Sequence, residues 1–125
     1  MFFIMGRVEN LLSLVKEKLE DGEEIINYVD GALERNINGK GSLKTGILVA
    51  TNKKVRFLGK RFFKVYDDFI EYKDIYNVEI NEEKLGYRIF FHNKKNSCTM
   101  KYVEGKDIKG FVNYIKDKKG KIKNK

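Results

Sequence analysis

The sequence predicts a mainly β protein flanked by one helix near each end. Three observations carry this prediction. Apolar residues recur at helical spacing only near the two ends of the chain. Between them, short apolar runs rich in Val, Ile, Phe and Tyr follow one another at close intervals. The breaks between those runs hold Gly and Asn, in a chain with eleven glycines and no proline. A length of 125 residues fits one domain, large enough to bury a core without disulfide staples.

The first helix is read over about residues 7 to 20. Val8, Leu11, Leu12, Val15 and Leu19 form its apolar stripe, and Glu9, Lys16, Glu17 and Lys18 fill the other face. Asp21-Gly22 ends it. Ile25, Ile26, Tyr28 and Val29 suit a strand, with Gly31 marking a bulge or tight bend. "NINGKGS" at 36–42 is a turn. "LKTGILVAT" lacks alternation, so both of its faces are expected to be buried. "NKK" turns the chain into "VRFL", and "RFFKVYDDFIEY" follows with a turn expected at Asp67-Asp68. Tyr76, Val78 and Ile80 alternate on the next strand. "YRIFFH" and "SCTMKYV" form a hairpin around "NKKN" at 93–96. A closing helix starts near Asp107, whose carboxylate suits a first turn. Ile108, Phe111, Val112 and Ile115 are its buried stripe, and Gly110 is expected to permit close packing on the sheet. Seven short antiparallel strands predict an antiparallel barrel or two packed sheets, with the terminal helix capping an open end of the barrel. The expected organisation is an apolar segment and helix over 1–22, a barrel domain over 23–118 and a lysine-rich flexible tail over 119–125.

The net charge of +8 is uneven, since residues 1–34 carry three basic and eight acidic side chains and the remainder holds +13. Such a basic remainder attracts phosphate, on nucleic acid or on lipid headgroups, or keeps a surface soluble. Cys98 is the only cysteine, which excludes a disulfide framework and favours a cytoplasmic protein. "MFFIM" is too short for a signal peptide or a membrane span and reads as a segment that packs on the domain or on a partner.

Three separated motifs add a resemblance. Gly46, Thr51, Asn52, Lys53 and Lys54 form the first; Ile70, Tyr72, Ile75 and Val78 the second; Lys106, Asp107, Phe111, Val112, Tyr114 and Ile115 the third. In this order, over residues 23–118, they resemble the bacterial pleckstrin-homology-like domains, and within them the YokE-like group. The resemblance implies a seven-stranded antiparallel barrel capped by the C-terminal helix. Eukaryotic relatives bind phosphoinositides, often through the loop joining their first two strands. Here that loop offers only Lys40, with Arg35 and Lys44 nearby.

No catalytic constellation emerges, and the expectation is a non-enzyme without metal or cofactor. His92 and Cys98 flank a hairpin loop, but one His and one Cys build no multi-residue metal site. "NGKGS" lacks the spacing and the strand–loop–helix context of a phosphate loop. Asp67-Asp68 and Glu82-Glu83 are adjacent turn residues rather than carboxylates facing each other across a cleft. The candidate anion-binding set is Lys53, Lys54, Arg56, Lys60, Arg61 and Lys64, six cations in twelve residues with no acid among them. The rings interleaved there, Phe57, Phe62, Phe63 and Tyr66, raise a single-stranded nucleic-acid reading, disfavoured because most belong in a barrel core. The candidate partner-binding set is Phe2, Phe3, Ile4, Val8, Leu11, Leu12, Val15 and Leu19, an apolar area larger than one small barrel needs. The leading expectation is a module for protein binding or self-association. The alternative is weak electrostatic contact with anionic lipid at the inner membrane face.

Overall fold

The structure is a computed structural model that describes residues 6–37 and 40–123. Helix α1 (Arg7–Lys18) leads into seven strands: β1 (Ile25–Ile37), β2 (Lys40–Thr51), β3 (Lys54–Arg61), β4 (Lys64–Glu71), β5 (Ile75–Glu83), β6 (Gly86–Asn93) and β7 (Cys98–Glu104). Helix α2 (Ile108–Lys123) follows. A 3₁₀ turn, Tyr72–Asp74, joins β4 to β5.

The strands form one antiparallel sheet in the order β4-β3-β2-β1-β7-β6-β5. The expected closed barrel is therefore corrected to an open sheet, because β4 and β5 are its two edges and do not pair with each other. Tyr72 lies in the turn between these two edges. Its ring is buried in the connecting turn, its hydroxyl donates to the Thr51 carbonyl at 2.5 Å, and its edge meets Tyr114 of α2 at 6.5 Å. The turn is thus drawn inward, and α2 packs on that turn, β5, β1 and β2. A helix supplies the cover that hydrogen bonds between β4 and β5 would supply in a closed barrel.

Two apolar clusters lie on opposite faces of the sheet. The larger joins Val29, Leu48, Phe57, Ile89, Phe91 and Met100 to Phe111, Val112 and Ile115 of α2. The smaller joins Leu11 and Val15 of α1 to Ile47, Val49 and Leu58. Alternation along β2 sends Ile47 and Val49 to α1 and Leu48 and Ala50 to the main core. All four are at most 1% exposed, as the missing alternation predicts.

Local details follow the same logic. The register of β1 against β7 shifts between Asp30 and Ala32, at Gly31, where an added Cβ would lie 2.6 Å from the Lys101 carbonyl oxygen. Asp107 caps α2 by accepting the Gly110 N–H at 3.0 Å. Gly110 thereby leaves room for that carboxylate, whose nearest oxygen would be 2.0 Å from an added Cβ. Its close approach is to the cap rather than to the sheet. Asp67 and Asp68 do not turn the chain. They lie within β4, and the turn falls at Phe62-Phe63, between the paired residues Arg61 and Lys64.

Candidate functional site: a basic mouth and an aromatic hairpin tip

The six cations of the basic stretch lie toward opposite ends of β3. Seven residues separate Lys54 from Arg61, a rise of roughly 23 Å along a strand. At the first end, residues 20–24 wrap over the β2–β3 turn. The Glu23 side chain is fully buried and accepts from Arg56 Nε at 2.8 Å, Arg56 Nη2 at 2.7 Å and the Thr51 hydroxyl at 2.7 Å. The Glu20 backbone N–H donates to it as well, at 3.0 Å. The Arg56 guanidinium, against a smaller opposing push from burial, holds the Glu23 carboxyl at about 2, and the Arg56 pKa rises in return. Lys54 Nζ meets Glu20 at 2.6 Å, and Lys53 Nζ donates to the Asp21 carbonyl at 2.6 Å. Thr51 ties the turn itself by accepting the Lys53 and Lys54 N–H groups at 3.1 and 3.0 Å. Lys53, Lys54 and Arg56 therefore hold the N-terminal segment in place.

The second end is different. Lys60, Arg61 and Lys64 are exposed around the two-residue turn Phe62-Phe63. Phe62 is 83% exposed and Phe63 99% exposed. Phe62 has φ +55°, a left-handed conformation that costs a non-glycine residue roughly 1–2 kcal/mol. Beside the tip, β2 pairs with β3 only over Ile47–Ala50 and Val55–Leu58, and the chain beyond opens into a mouth. Two adjoining cavities of about 340 and 530 Å³ share Ser42, Lys44 and Tyr66 as lining. The Tyr66 ring receives Lys44 Nζ at 4.7 Å and Lys64 Nζ at 5.2 Å, so one aromatic face gathers two ammonium groups from different strands. Arg35 also lines the mouth, but its charge is matched by Asp68, and Asp67 is matched by Lys18. Among the described residues, Lys44, Lys60, Arg61 and Lys64 have no carboxylate within ion-pair distance. Lys60, Arg61 and Lys64 flank the two solvent-exposed rings, and Lys44 lies over Tyr66.

The remaining sequence candidates fall elsewhere. Leu11 and Val15 are buried under α1, and Val8, Leu12 and Leu19 pack partly buried around them. Phe2, Phe3 and Ile4 lie outside the described residues. His92 hydrogen-bonds Glu79 at 2.7 Å on the β5–β6 hairpin, and burial pushes the Cys98 thiol up to about 11. Among the described residues, no group of three or more His, Cys, Asp or Glu side chains is placed to hold a metal ion. Sequence reasoning expected a turn at the two aspartates and ran Phe63 into a strand, so it did not read Phe62-Phe63 as a tip, while Tyr66 does lie in β4. The readable signal was "KRFFK" itself, an aromatic pair bracketed by cations on both sides.

A family model described as a bacterial PH domain matches residues 19–117. The chain belongs to the bacterial PH domain family. Solved PH domains share its architecture. The Vps36 N-terminal PH domain aligns with a TM-score of 0.64 at 13% identity, covering 86% of each chain. A DUF1696 family protein with a PH domain from Shewanella loihica PV-4 aligns at 0.57 and 18% identity, over 92% of this chain and 99% of that one. The PH domain of USP37 aligns at 0.58 and 14% identity, over 77% and 99%. At these identities the likeness is one of fold. A comparison with curated proteins gives no match. Within the fold, the mouth lies beside the β3–β4 turn, and no helix among the described residues is long and apolar enough to cross a membrane.

Proposed function

We propose that this PH domain is a non-catalytic module that docks on an anionic lipid surface at the inner membrane face, and that it belongs to the YokE-like group. The subgroup placement rests on the three sequence motifs. The docking reading rests on one observation: Phe62 and Phe63 stand exposed at a hairpin tip flanked by Lys60, Arg61 and Lys64, which have no carboxylate partner among the described residues. A turn of two residues with one at positive φ favours Gly or Asn, both of which this chain uses freely. A ring kept there against backbone strain serves something outside the folded chain. Aromatic side chains sit well at the boundary between lipid headgroups and acyl chains, and nearby lysines and arginines meet the phosphates. The apolar face of α1, which supports a protein-binding reading in the sequence, covers β2 and β3 of this same chain. Protein binding through it would require α1 to leave the sheet.

The test is cosedimentation with vesicles of phosphatidylcholine alone or mixed with phosphatidylglycerol. Binding is expected only to the anionic vesicles and should weaken with added salt. Replacing Phe62 and Phe63 together by serine should lower the partition coefficient by about tenfold or more, from the loss of buried apolar area. Equal binding to both vesicle types, or an unchanged double variant, overturns the reading.

A further inference from the structure

A second concavity lies on the other side of the same hairpin, between α1 and the tip. Its volume is about 440 Å³, within the roughly 300–1,000 Å³ of small-molecule sites. Leu11 and Leu14 of α1 form one wall and Phe62 the other, with Lys60 at the rim. The strained Phe62 turn thus serves two surfaces, since it exposes the tip and also closes this groove. The other charges at the groove are not equivalent. The Arg7 guanidinium is held by Asp30. Glu17 lies on the α1 side and repels an anion. Lys60 has no hydrogen bond or ion pair with any described residue, so the positive end of the groove is the hairpin end.

We infer that this groove binds the alkyl chain of a free single-chain anionic amphiphile of the fatty-acid class, with its carboxylate at Lys60 and its tail between Leu11, Leu14 and Phe62. The chemistry selects that occupant. One apolar trough takes one chain, one unpaired ammonium takes one negative head, and Glu17 sets the direction in which the chain lies. The groove is a separate cavity from the mouth lined by Ser42, Lys44 and Tyr66, and Lys60 borders both. The inference does not depend on membrane docking.

Calorimetric titration of the full chain with hexanoate, octanoate and decanoate, each below its micellar concentration, tests it. One site per chain is expected, with the dissociation constant falling about three- to fourfold for each added methylene. Leu14→Asn and Phe62→Gly should each weaken decanoate binding by tenfold or more. Phe62→Gly also relieves the positive φ, so its thermal midpoint should hold or rise, which separates loss of the site from loss of the fold. Lys60→Ser should weaken decanoate binding while leaving the increment per methylene intact. An affinity independent of chain length, or unchanged binding in Leu14→Asn and Phe62→Gly, overturns the inference. Decanoate binding without vesicle binding leaves the groove standing and removes the membrane reading. Vesicle binding without decanoate binding does the reverse.

Discussion

The two turns that bound β3 carry similar charge in the sequence and opposite electrostatics in the structure. At the β2–β3 turn, Lys54 and Arg56 meet the carboxylates of Glu20 and Glu23 from the segment after α1, and Lys53 Nζ donates to the Asp21 backbone carbonyl. At the β3–β4 turn, Lys60, Arg61 and Lys64 meet no carboxylate among the described residues and surround two exposed rings. The acids that decide the difference are some 30 residues away from the cations they neutralise, as in Glu23 and Arg56. Charge density in a sequence window therefore says little about surface potential until the partner segment is placed. The first turn is a structural fastening, and the second is an available surface.

The largest expected effect is on the fastening. Glu23→Ala leaves Arg56 and the Thr51 hydroxyl without their buried acceptor and should cost about 3 kcal/mol in chemical denaturation, as removal of one member of a buried ion pair does. The same contact has a pH signature. The folded Glu23 carboxyl titrates at about 2, below its ordinary 4.5, so it contributes stability that is complete above about pH 4.5 and lost as pH falls toward 2. Subtracting the Glu23→Gln acid-denaturation profile from that of the parent should isolate this slope. Parallel profiles would show that the pair is not formed.

A smaller effect should separate the two turns directly. Each cation near an anionic surface contributes about 1 kcal/mol. Replacing Lys60, Arg61 and Lys64 by alanine should therefore reduce partition onto phosphatidylglycerol vesicles on the order of a hundredfold. Replacing Lys53 and Lys54 by alanine should change it by less than about threefold, because their ammonium groups are already engaged. Equal losses in the two variants would erase the distinction between the turns. The smallest effect expected is from Thr51→Val, which removes a hydroxyl that donates to Glu23 and accepts from two turn N–H groups. A loss of about 1 kcal/mol in the denaturation midpoint is anticipated, since the turn N–H groups can turn to water.

Much of the architecture was legible in the chain. The helical stripes at both ends, the missing alternation of Gly46–Ala50 and the bulge at Gly31 all reflect local periodicity or the absence of a Cβ, and the structure bears each out. Sheet closure was not legible. It depended on whether β4 and β5 pair; they do not, and in the turn between them Tyr72 points inward to Thr51 and Tyr114. The candidate site was legible as composition and not as geometry. "KRFFK" was visible, but a two-residue turn without Gly or Asn gives no local signal of its position. The Asp67-Asp68 pair offered a stronger turn signal, and the chain overrode it by pairing Asp67 with Lys18 and Asp68 with Arg35.

The sequence by itself determined the element types, the strand count and the apolar faces of both helices, because each follows from spacing along the chain, and three separated motifs carried the resemblance to the family. Only the tertiary structure decided that the sheet stays open, that α1 covers the outer face of β2 and β3, and which of the six cations are paired with a carboxylate. These depend on contacts between residues far apart in sequence, whose energies no local window contains. The basic stretch became two opposed turns when Glu20 and Glu23 were brought within ion-pair distance of Lys54 and Arg56 at one end, while among the described residues no carboxylate comes that close to Lys60, Arg61 or Lys64 at the other.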